Sequence, residues 1–159
     1  MKKTTILLPA LFALTFFPSC NKINGKGDVV TETRTVTGYT GVSVGIDGDV
    51  YYTADSTYNI QILAQQNIID VIETNIDNYK LVIKFKDHTH IGSHDPIRIN
   101  IFASGLNVFN LSGSASIHCE SDLISNQVNF SISGSGNINA GQVFTDRLDA
   151  AISGSGNIQ

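Results

Sequence analysis

The chain has 159 residues, ten basic and fourteen acidic, and carries a net charge of −4 with no Lys/Arg cluster. That balance excludes the electrostatic footprint of nucleic-acid binding and argues against adsorption to anionic lipid. Two cysteines, Cys20 and Cys119, are too few for a disulfide framework.

The chain opens on Met1-Lys2-Lys3, an apolar run from Thr4 to Phe17, and Pro18-Ser19-Cys20. A basic start, an apolar stretch and a small residue before the cleavage point predict a secretory signal peptide over residues 1–19. The run is shorter than the roughly 20 apolar residues of a permanent membrane span. Ser19-Cys20 resembles the lipobox of bacterial lipoproteins, so Cys20 is the expected lipidation site and the membrane the expected partner through that anchor. An ordinary signal peptide followed by an incidental Cys is the plainer alternative. Removing the leader takes two lysines with it, leaving 140 residues with eight basic against fourteen acidic side chains, a charge of −6. That length suffices for one domain with a sizeable core. Residues 20–34, in which Cys20 is followed by Asn-Lys-Ile-Asn-Gly-Lys-Gly, are expected to be a flexible tether. Cys119 is read as a small buried or half-buried filler.

From residue 35 onward the pattern is that of strands. Val42, Val44 and Ile46 alternate with polar or small residues, and Val50 and Tyr52 resume after Asp47-Gly48-Asp49, which predicts a hairpin. Ile60 and Ile62, then Leu81, Ile83 and Phe85, then Ile97, Ile99 and Ile101 give three more alternating sets. Between them, Ile68, Ile69, Ile72 and Ile76 fit a helical stripe, but β-branched residues favour strand or a single helical turn. Asp77-Asn78-Tyr79-Lys80 reads as a turn.

The last third repeats itself. Leu-Ser-Gly-Ser-Ala-Ser-Ile at 111–117 returns as Ile-Ser-Gly-Ser-Gly-Asn-Ile at 132–138 and again at 152–158, with offsets of 21 and 20 residues. Such a period marks stacked units that cannot bury an apolar face alone. Val128, Phe130 and Ile132, repeated as Leu148, Ala150 and Ile152, alternate in the manner of a strand with one buried face. Neither the leucine-rich-repeat spacing nor a helical stripe over 139–147 is present, so one β-coil per period is the better assignment. Ile132 is expected to stack over Ile152 inside and Asn137 over Asn157 at a corner, with Gly134, Gly136, Gly154 and Gly156 turning that corner through positive φ. Asp at either Ile132 or Ile152 is expected to unfold the stack, whereas Ser135→Asp should leave it folded. The fold expected is all-β, a right-handed β-helix-like solenoid with coils of about 20 residues in the C-terminal part, preceded by a signal peptide. The chain stops one residue past the last motif, from which missing final coils and self-association through coil ends are expected.

Val42-Ser43-Val44 with Asp49-Val50-Tyr51, then Tyr79-Lys80-Leu81-Val82-Ile83, then Leu111-Ser112-Gly113-Ser114 and its two copies, resemble in order and spacing the head GIN domain family of auto-transporter adhesins, common in Bacteroidetes. The resemblance covers about Thr35 to Gln159. It implies a β-helix-like fold over 35–159 and an envelope location, often as an outer-membrane lipoprotein facing the surface or the periplasm. It brings no catalytic or ligand-binding residues.

Chemistry must therefore be sought in the residues themselves. His88, His90 and His94, with Asp95, form a weak metal candidate, because His88 and His90 share a face in a strand; a solvated surface loop is the alternative. The Ser-Gly-Ser-Gly corners lack the Lys-Ser/Thr of a phosphate loop and the Gly-x-Ser-x-Gly of a nucleophile elbow. No two carboxylates can be placed opposite each other from sequence, Asp146-Arg147 reading as a solvated turn pair, so no enzyme and no cofactor are expected. What remains is an interaction module for a glycan or a protein. Its candidate contacts are the outward Ser133, Ser135, Asn137, Ser153, Ser155 and Asn157, which offer donors and acceptors at small desolvation cost. A self-associating scaffold and, further off, a polysaccharide-active enzyme are the alternatives.

Overall fold

The computed structural model describes residues 22–159, so the expected leader and the lipidation site Cys20 lie outside the described residues. The alternating segments build β1 (Lys22–Ile23), β2 (Val29–Arg34), β3 (Gly41–Gly45), β4 (Asp49–Ala54) and β5 (Asn59–Gln65). One helical turn, α1 (Gln66–Ile69), leads into β6 (Ile72–Asp77), β7 (Lys80–Phe85), β8 (His90–Ile91) and β9 (Arg98–Ala103). The repeats supply β10 (Val108–Gly113), β11 (Ser116–Cys119), β12 (Leu123–Ile124), β13 (Gln127–Gly134), β14 (Asn137–Asn139), β15 (Val143–Phe144), β16 (Arg147–Gly154) and β17 (Asn157–Ile158). The protein is all-β.

Two sheets face each other across the core. One has the order β16-β13-β10-β3-β7-β6 and the other β17-β14-β11-β4-β9-β5-β2. Their pairs are parallel, except that β6 with β7, β5 with β9 and β2 with β5 run antiparallel. Each pair β3–β4, β10–β11, β13–β14 and β16–β17 is thus one rung, crossing from the first sheet to the second around a tight corner. Equivalent residues stack in register: Val42, Phe109, Phe130 and Ala150 in one file, Val44, Leu111, Ile132 and Ile152 in the next. On the opposing sheet Ile99, Val50, Ile117, Ile138 and Ile158 form the facing file. Apolar files meeting in this way remove each side chain from water at about 1.5–3 kcal/mol apiece. Phe109 sits between Tyr52 and Phe130, with ring centroids 5.8 and 5.5 Å away. The short β12 and β15 pair as a third, narrow edge.

Rung order departs from chain order. The β3–β4 rung lies between the later β7/β9 pair on one side and β10–β11 on the other. The antiparallel β6, β5 and β2 continue the sheets beyond β7 and β9, and α1 buries Ile68 and Ile69.

Several expectations are corrected here. Asp47-Gly48-Asp49 makes no hairpin: it is a rung corner, since β3 and β4 belong to different sheets. Gly48 is not among the positive-φ residues, as a tight hairpin would require; instead, a Cβ there would lie 2.8 Å from the Ile97 carbonyl oxygen. The tether over 20–34 is not free over the described residues 22–34. β1 pairs with β8 and β2 with β5, while Asn67 Nδ2 donates to the Asn24 carbonyl at 2.7 Å and the Lys26 amide donates to Asn67 Oδ1 at 2.9 Å. This docking rests mainly on edge hydrogen bonds, with Ile23 alone of the segment's start packing on the core, and so leaves little hydrophobic pattern. The stretch from 66 to 77 is both of its alternatives in turn, a helical turn and then a strand. Asn78 and Tyr79, at φ of 48° and 59°, close the β6–β7 hairpin.

All four repeat glycines are needed for close approach, since an added Cβ at Gly134, Gly136, Gly154 or Gly156 would lie 2.4, 2.2, 2.1 or 2.1 Å from a carbonyl oxygen of the preceding rung, and Gly134 and Gly154 also adopt φ of 146° and 142°. Ile152, expected inside, is 48% exposed and Leu148 54%, because both stand on β16, the outermost strand of the described sheet.

Candidate functional site

Outward positions of the seven-stranded sheet line up into files just as the inward ones do. Asn139, His118, Tyr51, Asn100, Gln61 and Thr33 are consecutive register partners across β14, β11, β4, β9, β5 and β2. The neighbouring file holds Asn157, Asn137, Ser116, Asp49 and Arg98.

These side chains bind one another. The Tyr51 and His118 rings stack with centroids 4.8 Å apart and planes 13° from parallel, and the Arg98 guanidinium carbon sits 3.9 Å from the Tyr51 ring centre. Arg98 Nε donates to Asn100 Oδ1 at 3.1 Å, and Asn100 Nδ2 donates to Gln61 Oε1 at 3.5 Å. Asn139 Nδ2 lies 3.0 Å from His118 Nδ1. An amide nitrogen only donates, so Nδ1 accepts, and the imidazole proton sits on Nε2, 3.8 Å from Asp49 Oδ1. The outcome is a ladder of planar groups (amide, imidazole, phenol, guanidinium, amide) held on edge at the strand spacing of about 4.8 Å. Sequence reasoning missed it. Alternation alone marks Tyr51 and His118 as outward, but their adjacency depends on a pairing between strands from distant parts of the chain.

The six repeat-corner candidates do not share one face. Ser133 and Ser153 are register partners on the six-stranded sheet, while Asn137 and Asn157 are partners on the seven-stranded one. Ser135 and Ser155 lie at the corner between them. The asparagine stack expected there is present, with Asn157 Nδ2 donating to Asn137 Oδ1 at 3.4 Å. Of the six, only Asn137 and Asn157 lie on the ladder's face, in the file beside it.

The histidine cluster is taken apart by the fold. His88 and His90 are exposed, whereas His94 turns back onto the Asp47 corner, and no group of three or more metal-binding side chains converges among the described residues. His94 Nε2 lies 3.2 Å from Asp47 Oδ2 and Nδ1 lies 2.7 Å from the Asp95 carbonyl. Burial pushes the imidazole pKa down, but the hydrogen bonds to Asp95 and Asp47 and their charge outweigh it, and the net shift is upward. The loop that looked solvated is therefore pinned at both ends, by β8 and by His94. Cys119 is half-buried, and burial lifts its thiol to about 12, which makes it an unreactive filler. Asp146 is not Arg147's partner; Arg147 Nε reaches Asp149 Oδ2 at 2.9 Å.

Solved structures share this fold. A putative adhesin of Parabacteroides merdae aligns with a TM-score of 0.77 at 21% identity over 86% of this chain and 57% of its own. A putative lipid binding protein of Parabacteroides distasonis aligns at 0.77 with 23% identity over 87% and 60%. A putative adhesin of Bacteroides fragilis aligns at 0.63 with 14% identity over 86% and 98%. The chain thus spans less than two thirds of the first two structures, and at these identities the likeness concerns the fold. No curated protein matches the chain. Residues 38–159 match the family described as "Putative auto-transporter adhesin, head GIN domain", with the strands, corners and repeats described above, and the chain belongs to that family.

Proposed function

We propose that the protein is a non-enzymatic interaction module of the cell envelope, an adhesin-like head with a β-helix-like solenoid core, carried on a lipid anchor at Cys20. The observation that carries this reading is the regularity of the rungs. Parallel in-register stacking lays polar side chains out as a flat, repeating surface, which suits an extended partner such as a glycan or a protein segment better than a small substrate. Family membership supports an envelope location and adhesion. The carboxylates also support a binding role. Asp149 is engaged by Arg147 and Gln127, and Asp47 by His94, so neither is presented as one of a facing acid pair. No helix among the described residues is long and apolar enough to cross a membrane.

Protease shaving of intact cells expressing a C-terminally tagged chain, with a lysed control, tests the reading. Loss of the tag from intact cells supports a surface adhesin; survival until lysis overturns it. The exposed Leu148 and Ile152 favour a second reading, an envelope scaffold that grows by covering its outermost rung. Sedimentation that is independent of concentration would remove it.

A further inference from the structure

We infer that the planar ladder centred on Tyr51 is a binding site for a neutral, hydroxyl-rich oligosaccharide lying across the strands. The inference rests on the adhesion reading and narrows it to one surface and one ligand class.

Three features of the ladder select that ligand. The first is preorganisation. Tyr51 is held between His118 and Arg98, Arg98 is tied to Asn100, and His118 to Asn139, so the polar edges are fixed before a ligand arrives. Side chains already immobilised lose little entropy on binding, which matters most for weak contacts made many times over.

The second is chemical character. Both faces of the Tyr51 ring are covered, so it presents its edge rather than a stacking platform. The exposed large apolar residues, Val29, Val30, Ile76, Tyr79, Ile124, Phe144, Leu148 and Ile152, all lie elsewhere. A protein partner would ask for a broad apolar core around its aromatic anchor, whereas the file on either side of Tyr51 is polar: Asn139 and His118 on one side, Asn100 and Gln61 on the other. Amide, imidazole, phenol and guanidinium edges offer alternating donors and acceptors, matching hydroxyls that both donate and accept.

The third is charge and spacing. Asp49 and Arg98 are register partners, so the patch carries opposite charges side by side and favours neither a polyanion nor a polycation. Rungs repeat at about 4.8 Å, close to the length of one sugar ring, so an extended glycan can address one rung per residue.

The test titrates the full chain, purified in mild detergent, with cellohexaose, laminarihexaose, xylohexaose and mannohexaose, and with hexagalacturonate as the acidic control. We expect at least one neutral hexamer to bind. Tyr51→Phe and Asn139→Ala should each weaken it about fivefold, the loss of one neutral hydrogen bond, and Arg98→Gln at least about tenfold. Asn110→Ala, on the outer face of the opposite sheet, should change nothing. Matching thermal melts across the variants separate lost contacts from lost fold. A preference for hexagalacturonate overturns the ligand class. Sensitivity to Asn110→Ala with indifference to the other three overturns the site but leaves adhesion standing. Absence of all binding by a chain that shaving places at the surface overturns the glycan assignment alone; absence of binding by a chain that survives shaving overturns both readings.

Discussion

The C-terminal rungs and the N-terminal half share one geometry and reach it by opposite routes. In β10 to β17 each rung follows the last along the chain, and the same Ser-Gly-Ser corner recurs at each turn. In β1 to β9 the rung β3–β4 and the pair β7/β9 have the same parallel register, yet no repeated sequence and no consecutive order. Stacking therefore demands only that apolar residues alternate and that corners be small. It does not demand a repeat. The halves differ in depth of burial as well: Val44 and Ile83 are fully enclosed, whereas Leu148 and Ile152, on the outermost rung, are about half exposed.

That contrast can be broken from inside. Ile132→Asp places an unpaired carboxylate at a position that is 1% exposed, and should unfold at least the C-terminal rungs in a denaturant titration. Ile152→Asp, at the half-exposed equivalent, should cost about 1 kcal/mol or less, which replaces the earlier expectation that both would be disruptive. Equal losses would show that the outer rung is as buried as the inner one.

The corners offer the next largest effect. Gly136→Ala forces a methyl against the Ala115 carbonyl and should cost about 1–3 kcal/mol by chemical denaturation. Gly38→Ala, at φ 87° with open space around it, should cost only the backbone strain, about 1 kcal/mol. If Gly136→Ala proves no costlier than Gly38→Ala, the close contact between rungs at the corner carries no large penalty of its own.

The docked N-terminal segment sharpens the comparison from the other side. Asn67→Ala removes two of the bonds that pin residues 24–26 and leaves the Gly25 amide on the Ser93 carbonyl and the Ser93 amide on Asn24 Oδ1, so trypsin should cut at Lys26 somewhat faster while the melting temperature moves by only a few degrees. The smallest effect is that of pH. Because the folded pKa of His94 is raised, its contribution is complete below the ordinary value of 6.5 and is lost as pH rises through the raised value. Denaturation at a series of pH values from 5.5 to 8.5 should show this slope, and His94→Gln should flatten it.

Legibility followed the range of the interaction. The repeats were readable because Leu111, Ile132 and Ile152 advertise their register through spacing alone, and the stacked pair Asn137–Asn157 came with them. The corner at Asp47-Gly48 was misread because Asp-Gly between alternating segments signals a hairpin locally, and only the later Ile97 strand decides otherwise. The tether was misread because Asn24 and Lys26 dock through backbone and amide bonds that polar composition conceals. The planar ladder could not be seen at all, since Tyr51, Arg98, His118 and Asn139 meet through four different strands.

The displaced position of the β3–β4 rung also governs timing. Val42 and Val50 find partners on one side in Leu81 and Ile99, and on the other in Phe109 and Ile117, so the earliest rung is completed only by strands made much later. A nascent chain of this kind cannot complete that rung until residues up to 117 are available, and it must then close many distant pairs together, the slow regime for folding. Were the chain exported as proposed above, that delay would favour its passage through a secretion channel, because premature compaction would stop it.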